Sequence, residues 1–153
     1  RAASENDQNY IIYRLADVLL MKAEALIMQG HNEDAADLID RTRERAGLGE
    51  TTLSDDRMVM LETLLVERQK EFFGEGKNWF DLLRIGLRSE QLNDTQYKTL
   101  FVEQALKAVG ASRQSLGRAT LANSGSWYLP YSEDELSKNP LLEQSDYYQS
   151  ISN

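Results

Sequence analysis

Apolar residues recur at helical spacing along the first third of the chain, in two stripes separated by a glycine. The stripes comprise Ile11, Leu15, Val18, Leu19, Ala23, Leu26 and Ile27, and then Ala35, Leu38, Ile39, Thr42 and Ala46. This periodicity predicts two helices, the first beginning near Tyr10. Gly30 is expected to end the first helix, and Asn32 to cap the second. Gly47 and Gly49 then stop the second helix, so the pair should form an antiparallel hairpin.

The hairpin resembles a tetratricopeptide (TPR) helix pair, including the spacing of five residues between Gly30 and Ala35. One such pair cannot bury both of its faces by itself. Only one copy is visible in the sequence, so we expect the outer face of the hairpin to dock on something else.

A third apolar stripe predicts a helix that starts near Ser54 or Asp55, where an acidic side chain complements the positive end of the helix dipole. Its buried face should comprise Met58, Leu61, Leu64, Leu65, Arg68 and Phe72. Gly74 and Gly76 are expected to break this helix. Asn78 should then cap a short fourth helix that ends at Gly86, with a loop over residues 87–94.

The second half of the chain carries a weaker pattern. A fifth helix is predicted from about Thr95 to Val109, and Gly, Ser and Asn become more frequent from Gly110 onward. Residues 127–130 indicate a short extended segment. The aromatic tail over residues 139–148 is expected to wrap around the domain.

These elements predict an all-α fold, with a TPR-like helix hairpin, further packed helices and a loop-rich C-terminal cap. We expect a single domain over residues 1–153. Within it, residues 1–9 should be a frayed N-terminal segment, residues 10–86 the helical core, and residues 87–153 a more variable helix and a loop-rich cap.

Charge narrows the possible partners. The chain has 17 basic and 25 acidic side chains and a net charge of −8. Such a surface repels phosphate, which argues against nucleic-acid and anionic-membrane binding. No apolar run approaches the roughly 20 residues that span a bilayer, so we expect no transmembrane segment.

The residue composition argues against disulfide bonds and against histidine-based metal sites. The chain has no cysteine and one histidine, His31, which we expect to be a solvated turn residue. A histidine-based metal centre or a serine–histidine triad on this chain is therefore implausible, and no cofactor is expected. The chain begins with Arg1 instead of Met, which we interpret as the start of a processed or truncated product.

Four blocks along the chain match, in order, the motifs of a known family. The blocks are RLADVLLM with the following AEA (residues 14–25), RERAGL (43–48), ERQKEFFGEG with DLLR (67–84), and LP, E, NP and Q between residues 129 and 144. They resemble the SusD/RagB family of outer-membrane nutrient-binding lipoproteins. Tyr128 stands where the closing motif has its first proline, and residues 145–147 replace its Asn-Pro-Gly.

The resemblance implies that the protein binds an oligosaccharide at the outer-membrane surface and delivers it to a SusC-like TonB-dependent transporter. It also implies binding without catalysis. Family members are far longer, with a lipidated N-terminal cysteine and further TPR-like helices. The chain therefore resembles the C-terminal part of such a protein, and a lipid anchor is expected on the missing N-terminal part.

The charged motif residues allow two interpretations. Glu67, Glu71 and Glu75 share one helix face, and paired carboxylates are what glycoside hydrolysis requires. Interleaved cations explain the same run as a structural ion-pair network, which we favour, since one helix face does not offer two opposed carboxylates. The residues assigned to this structural motif are Arg14, Glu24, Arg43, Glu67, Arg68, Glu71, Glu75, Asp81 and Arg84.

Sugar contact is expected from aromatic side chains in the second half of the chain. Aromatic faces pack on the C–H surfaces of sugars, and we name Tyr97, Trp127 and Tyr128 as candidates. Packing of a loop onto the helices is the alternative for these rings. A second functional alternative is a protein-interaction scaffold that docks on the transporter and holds no ligand in this segment.

Overall fold

The computed structural model describes residues 11–151, and every regular element in that part of the chain is helical. The α-helices are α1 (Leu15–Gln29), α2 (Asn32–Arg45), α3 (Arg57–Glu71), α4 (Asn78–Leu92), α5 (Thr95–Leu106), α6 (Ala111–Leu121), α7 (Glu133–Lys138) and α8 (Asp146–Ile151). A 3-10 helix over Ser124–Trp127 lies between α6 and α7. The all-α prediction is confirmed. The predicted frayed segment 1–9 lies outside the described residues.

The chain divides into two compact units, Arg1–Asp81 and Leu82–Asn153. The sequence predicted one domain whose character changes after residue 86. The boundary between the two units lies inside α4, and the single domain stays a prediction.

In the N-terminal unit, α1 and α2 form the predicted antiparallel hairpin, and α3 packs against both. Gly30 ends α1 in the left-handed conformation, with φ at 83°, and its amide donates to the Ile27 carbonyl at 3.1 Å. A residue without Cβ adopts this conformation at least cost. The cap of α2 is His31, one residue before the predicted Asn32. Asn32 instead donates its side-chain amide to the Ser54 carbonyl at 2.9 Å, which fastens the hairpin turn to the segment before α3.

The buried face of α1 differs from the predicted one. Leu15 and Val18 are 69% and 54% exposed, whereas Leu20 is fully buried. The buried residues of α1 are Ala16, Asp17, Leu20, Ala23, Glu24 and Ile27. Two carboxylates are therefore among the side chains that face the neighbouring helices. Ala23 and Ile27 are buried as predicted, whereas a count of apolar positions could not include Asp17 and Glu24, which are buried through their charges.

Helix α3 begins slightly later than predicted, with Asp56 as its cap. The Asp56 carboxylate accepts from the amides of Met58 at 2.7 Å and Val59 at 3.4 Å. Met58, which was predicted to be buried, is only half-buried, and Met60 is fully buried instead. Gly74 and Gly76 end this region as predicted, with φ at 81° and 72°.

Helix α4 does not end at Gly86, and the predicted loop over residues 87–94 is wrong. The helix continues to Leu92, and a two-residue connection leads to α5. Gly86 is a packing position. A Cβ atom built there would lie 3.0 Å from Cγ of Phe101 and 3.1 Å from the ring of Trp127. The glycine lets α4 and two aromatic rings approach closely, so it does not act as a helix stop.

The C-terminal unit is more helical than the predicted loop-rich cap. Its core contains Tyr97, Phe101 and Trp127, and the Phe101 and Trp127 ring centroids lie 4.5 Å apart. The sequence missed α6, α7 and α8 because they bury almost nothing. Leu121 is the buried residue of α6, and α7 and α8 bury none. Helices this short and this exposed leave no apolar stripe to recognise.

Gly86→Val tests the close approach in the C-terminal unit. Valine has a better helix propensity than glycine, so a free position would gain stability. The added branches instead meet Phe101 and Trp127, and we expect a loss of about 1–3 kcal/mol in the free energy of unfolding, measured by urea denaturation of the full chain. Gly49→Val is the matched control, because a Cβ there meets nothing within 4 Å. Equal effects of the two substitutions would contradict the packing role.

Candidate functional site

The carboxylates of the charged run are held by cations from other helices. Arg14, which precedes α1, donates from Nε and Nη2 to Glu75 at 3.0 and 2.8 Å, and from Nη1 to Glu71 at 2.5 Å. It also donates to the Glu71 main-chain carbonyl at 2.6 Å. One guanidinium therefore joins the start of α1 to the end of α3. Such fork-shaped contacts fix the register between the two segments.

Two further arginines connect α2 with α3. Arg43 donates from Nη1 to Glu67 at 3.0 Å, and Arg45 donates to both carboxylate oxygens of Glu71 at 2.7 and 2.6 Å. The Glu67 and Glu71 side chains are 4% and 5% exposed. These acids are thus largely removed from solvent and compensated by arginines.

The deepest pair of the N-terminal unit is centred on Arg68. Its side chain is 4% exposed and donates from Nε to Asp81 at 2.8 Å, while Nη2 lies 3.7 Å from Asp17. Lys77 reaches the same Asp17 at 2.5 Å and Glu75 at 3.1 Å. The cluster therefore joins α1, α3 and the first turn of α4 through charges that are mutually compensated.

Phe72 lies among these cations. The residue is 4% exposed, and the guanidinium carbons of Arg14 and Arg68 lie 4.7 and 4.8 Å from the centroid of its ring. The Lys77 ammonium is 4.6 Å away. Attraction between cations and a ring face adds to the ion pairs at this point. The aromatic residue next to the acidic run therefore belongs to the packed interior.

Hydrogen bonding shifts the titration of the exposed end of this cluster. The hydrogen bond from Arg14 lowers the pKa of Glu75, against the opposing effect of burial. The same contact raises the pKa of Arg14. Burial opposes the charge on Lys77, but its hydrogen bonds to Asp17 and Glu75 outweigh burial and raise its pKa.

The three glutamates of the run each have a cation within hydrogen-bonding distance, as an ion-pair network requires. Glycoside hydrolysis needs two carboxyl groups on either side of a scissile bond, and this single row does not provide that arrangement. Of the remaining motif charges, Glu24 is buried on α1, and Arg84 is half-buried on α4.

The three candidate sugar-binding aromatic residues differ in how far they are exposed to solvent. Tyr97 and Trp127 are 1% and 2% exposed, and the Trp127 indole donates to the Leu121 carbonyl at 2.9 Å. Neither ring offers a face to solvent, so burial favours the packing alternative for both. Tyr128 is 49% exposed and remains the accessible candidate.

The structure adds a residue that the sequence analysis did not single out. Tyr131 is also 49% exposed, and its main chain is held by Gln144 of the tail. Gln144 was part of the closing motif, but the motif alone gave no indication that this amide contacts a second tyrosine.

An open cavity of about 350 Å³ lies in the N-terminal unit, at the turn between α1 and α2. It is lined by Ile27, Gly30, His31, Asn32, Glu33, Asp34, Leu53, Asp55 and Arg57. None of the three aromatic candidates lines this cavity. His31 is exposed at its rim, in agreement with the expectation of a solvated turn residue.

Across residues 11–151, no helix is both long and apolar enough to cross a membrane. The same part of the chain contains no group of three or more His, Cys, Asp or Glu side chains arranged to hold a metal ion.

Comparison with known proteins gives a consistent result. Residues 1–148 match the sequence model of the SusD family. The SusD-like proteins P38 and P2 of Formosa agariphila are 37% and 38% identical to the chain over 89 and 99 residues, which are 53% and 56% of this chain. The SusD-like protein P25 of the same organism is 28% identical over 144 residues, or 92% of this chain.

A solved structure extends the comparison to the fold. The crystal structure of a SusD superfamily protein from Bacteroides fragilis superposes with a TM-score of 0.61 at 28% sequence identity, and the match covers 90% of this chain and 28% of that one. The chain spans only 18%, 19% and 24% of the lengths of its three curated relatives.

Arg68→Met tests the central pair. Removing the guanidinium leaves Asp81 buried without this partner, and we expect the free energy of unfolding to fall by about 3–5 kcal/mol in urea denaturation. Arg118→Met is the control, since Arg118 pairs with Glu103 at the surface, where the two side chains are 46% and 49% exposed. A surface pair contributes little, so the control should change stability far less. Similar losses in both variants would refute a dominant role for Arg68.

Acid titration tests the contact between Arg14 and Glu75. The pKa of Glu75 lies below its usual 4.5 in the folded chain. This contribution to stability is therefore present above pH 4.5 and lost as the pH falls through the folded-state pKa. We expect denaturation curves between about pH 6 and about pH 3 to show a shallower acid loss in Glu75→Gln than in the parent chain. In an Arg14→Met background the same substitution should have a smaller effect, and an unchanged slope in both backgrounds would contradict the assignment.

Proposed function

Because the chain belongs to the SusD family, we propose that it takes part in capturing an oligosaccharide at the outer-membrane surface and delivering it to a SusC-like TonB-dependent transporter. The match to the family model over residues 1–148 is the observation that carries this proposal. The role is binding without turnover, and it requires no cofactor. A lipid anchor would hold the protein at that surface.

The charge distribution of the N-terminal unit supports binding over hydrolysis. The acidic run that could have supplied a catalytic pair is engaged by arginines and a lysine from neighbouring segments. A general acid needs a carboxyl group placed beside a leaving group, with its partner across the substrate. In the N-terminal unit these carboxylates instead hold helices together.

The C-terminal unit supplies the accessible aromatic surface that sugar capture needs. Tyr128 is half exposed and directly follows Trp127, which is buried in the core of the unit. The packed Trp127 therefore fixes the point from which the main chain of Tyr128 continues. A tyrosine offers a flat apolar face and a polar hydroxyl at low conformational cost. We assign the ligand contact of this segment to Tyr128 instead of to the buried Tyr97 and Trp127.

One observation favours the scaffold alternative. Leu15, Val18 and Met21 of α1 are 69%, 54% and 41% exposed, and their spacing of three places them along one side of the helix. Apolar residues in such a row suit contact with another protein surface. On this alternative the segment docks on the transporter and holds no sugar.

A glycan array separates the two proposals. We expect the folded chain to bind at least one oligosaccharide, and Tyr128→Ala to weaken that binding about tenfold, the loss of one aromatic contact. The substitution keeps the main-chain carbonyl of residue 128, which accepts a hydrogen bond from Tyr148. Leu129→Ala is the control, because Leu129 is 91% exposed beside it and lacks an aromatic ring.

A negative result on the array would contradict ligand binding by this segment. A chain that circular dichroism shows to be helical, but that binds no oligosaccharide on the array, would favour the scaffold.

A further inference from the structure

Two tyrosines of the C-terminal unit are exposed at the same stretch of irregular chain. Tyr128 and Tyr131 are each 49% exposed, and they lie between the 3-10 helix and α7. Neither phenol makes a hydrogen bond to any of the residues that the structure describes. Both side chains are therefore partly open to solvent, and their hydroxyl groups are available to a ligand.

The side chain of Gln144 forms hydrogen bonds with both the amide and the carbonyl of the Tyr131 main chain. The side-chain oxygen of Gln144 accepts from the Tyr131 amide at 3.2 Å, and its side-chain nitrogen donates to the Tyr131 carbonyl at 3.0 Å. One side-chain amide thus satisfies the main chain of a residue thirteen positions away, as a neighbouring strand would. Two hydrogen bonds to a single residue restrict both its position and its rotation.

Tyr147 and Tyr148, which come shortly after Gln144 in the tail, hold the chain around Tyr128. The Tyr148 hydroxyl donates to the Tyr128 carbonyl at 2.7 Å. Tyr147 packs so closely on the 3-10 helix that a Cβ atom at Gly125 would lie 2.6 Å from the Tyr147 Cβ. The rings of Tyr147 and Tyr148 meet edge to face at 4.9 Å. The tail segment 144–148 therefore contacts the chain at Gly125, at Tyr128 and at Tyr131.

We propose that Tyr128 and Tyr131 together form a sugar-contact surface, and that Gln144 and Tyr148 are positioning residues that preorganise it. This inference rests on the proposed function. A ligand that meets two tyrosines whose main chain is already held does not have to order that main chain when it binds, so less of its interaction energy is lost. It also gives the closing motif, of which Gln144 is part, a role at the ligand surface.

The charge around this surface indicates the class of sugar. Residues 128–151 contain five acidic side chains and one basic side chain, Lys138, which pairs with Asp134 at 2.6 Å. From α5, the Lys98 ammonium lies 5.9 Å from the ring of Trp127, so acidic side chains still predominate. Glu133, Asp134 and Glu135 form the first turn of α7, directly after Tyr131 and Ser132. Negative charges within about 8–10 Å repel an anionic ligand at physiological ionic strength. The surface therefore suits neutral oligosaccharides better than uronate-containing or sulfated ones.

The first experiment measures binding to the full chain by titration calorimetry. The probes are malto-, cello-, xylo- and manno-oligosaccharides as neutral sugars, and oligogalacturonates as the anionic class. We expect the strongest binder to be neutral and Tyr131→Ala to weaken it about tenfold. Tyr131→Phe keeps the ring and should weaken it less. Tyr13→Ala is the matched control, since Tyr13 is a 69% exposed tyrosine of the other unit.

The second experiment tests the positioning role. Gln144→Leu loses both hydrogen bonds to Tyr131 and should weaken binding of the same sugar about 3–10-fold, the cost of ordering one or two side chains on binding. Gln144→Glu keeps an acceptor for the Tyr131 amide and should recover part of the affinity. Hydrogen exchange at the Tyr131 amide should be faster in Gln144→Leu than in the parent chain. Gln29→Leu, at the exposed end of α1, is the control for the substitution itself.

The outcomes distinguish this inference from the proposed function. Binding of a neutral sugar that is unaffected by Tyr131→Ala and Gln144→Leu would overturn the two-tyrosine surface and leave glycan capture standing. Preference for the oligogalacturonates would overturn the assignment of a neutral ligand. Failure of the folded parent chain to bind any of the probes would count against both proposals.

Discussion

The ion pair between Arg68 and Asp81, with Asp17 beside it, is the contact on which the N-terminal unit depends. It is the point where α1, α3 and the first turn of α4 meet, and all three side chains are buried. Removing charges from water costs several kcal/mol for each ion, so the cluster does little for net stability as such. Removing one partner, in contrast, would leave a buried charge uncompensated and would lower the free energy of unfolding strongly. The effect of the cluster is therefore on specificity, since a rotation or shift of any of these helices would leave a buried charge without its partner.

The same constraint explains why the three glutamates of the acidic run are engaged in structure and are not free for chemistry. Arg14, Arg43 and Arg45 each reach a glutamate on α3 from another segment. Guanidinium groups suit this role because their planar forks meet carboxylates in a fixed geometry. A run of carboxylates on one face of a helix can suggest a catalytic site, but here each of its members has a structural partner.

The core of the C-terminal unit is built on aromatic packing. Gly86 permits the close approach of Phe101 and Trp127, and the indole of Trp127 is fixed by its hydrogen bond to Leu121. The adjacent Tyr128 lies outside this core. Burial thus divides neighbouring aromatic residues into those that hold the unit together and those that can contact a ligand. The tail, through Gln144 and Tyr148, supports the exposed group.

Much of the fold follows from the sequence. Helical periodicity with glycines at the turns is enough to predict the α1–α2 hairpin, the third helix and the all-α class, because local propensity and backbone stereochemistry decide these features. Four ordered motif blocks also identified the family resemblance, which the comparisons confirm. The tertiary structure alone decided which face of α1 is buried and that α4 continues through Gly86. It also decided which aromatic rings are accessible. These features depend on contacts between residues far apart in the chain, such as Asp17 with Arg68 and Gly86 with Trp127, and no local pattern records such contacts.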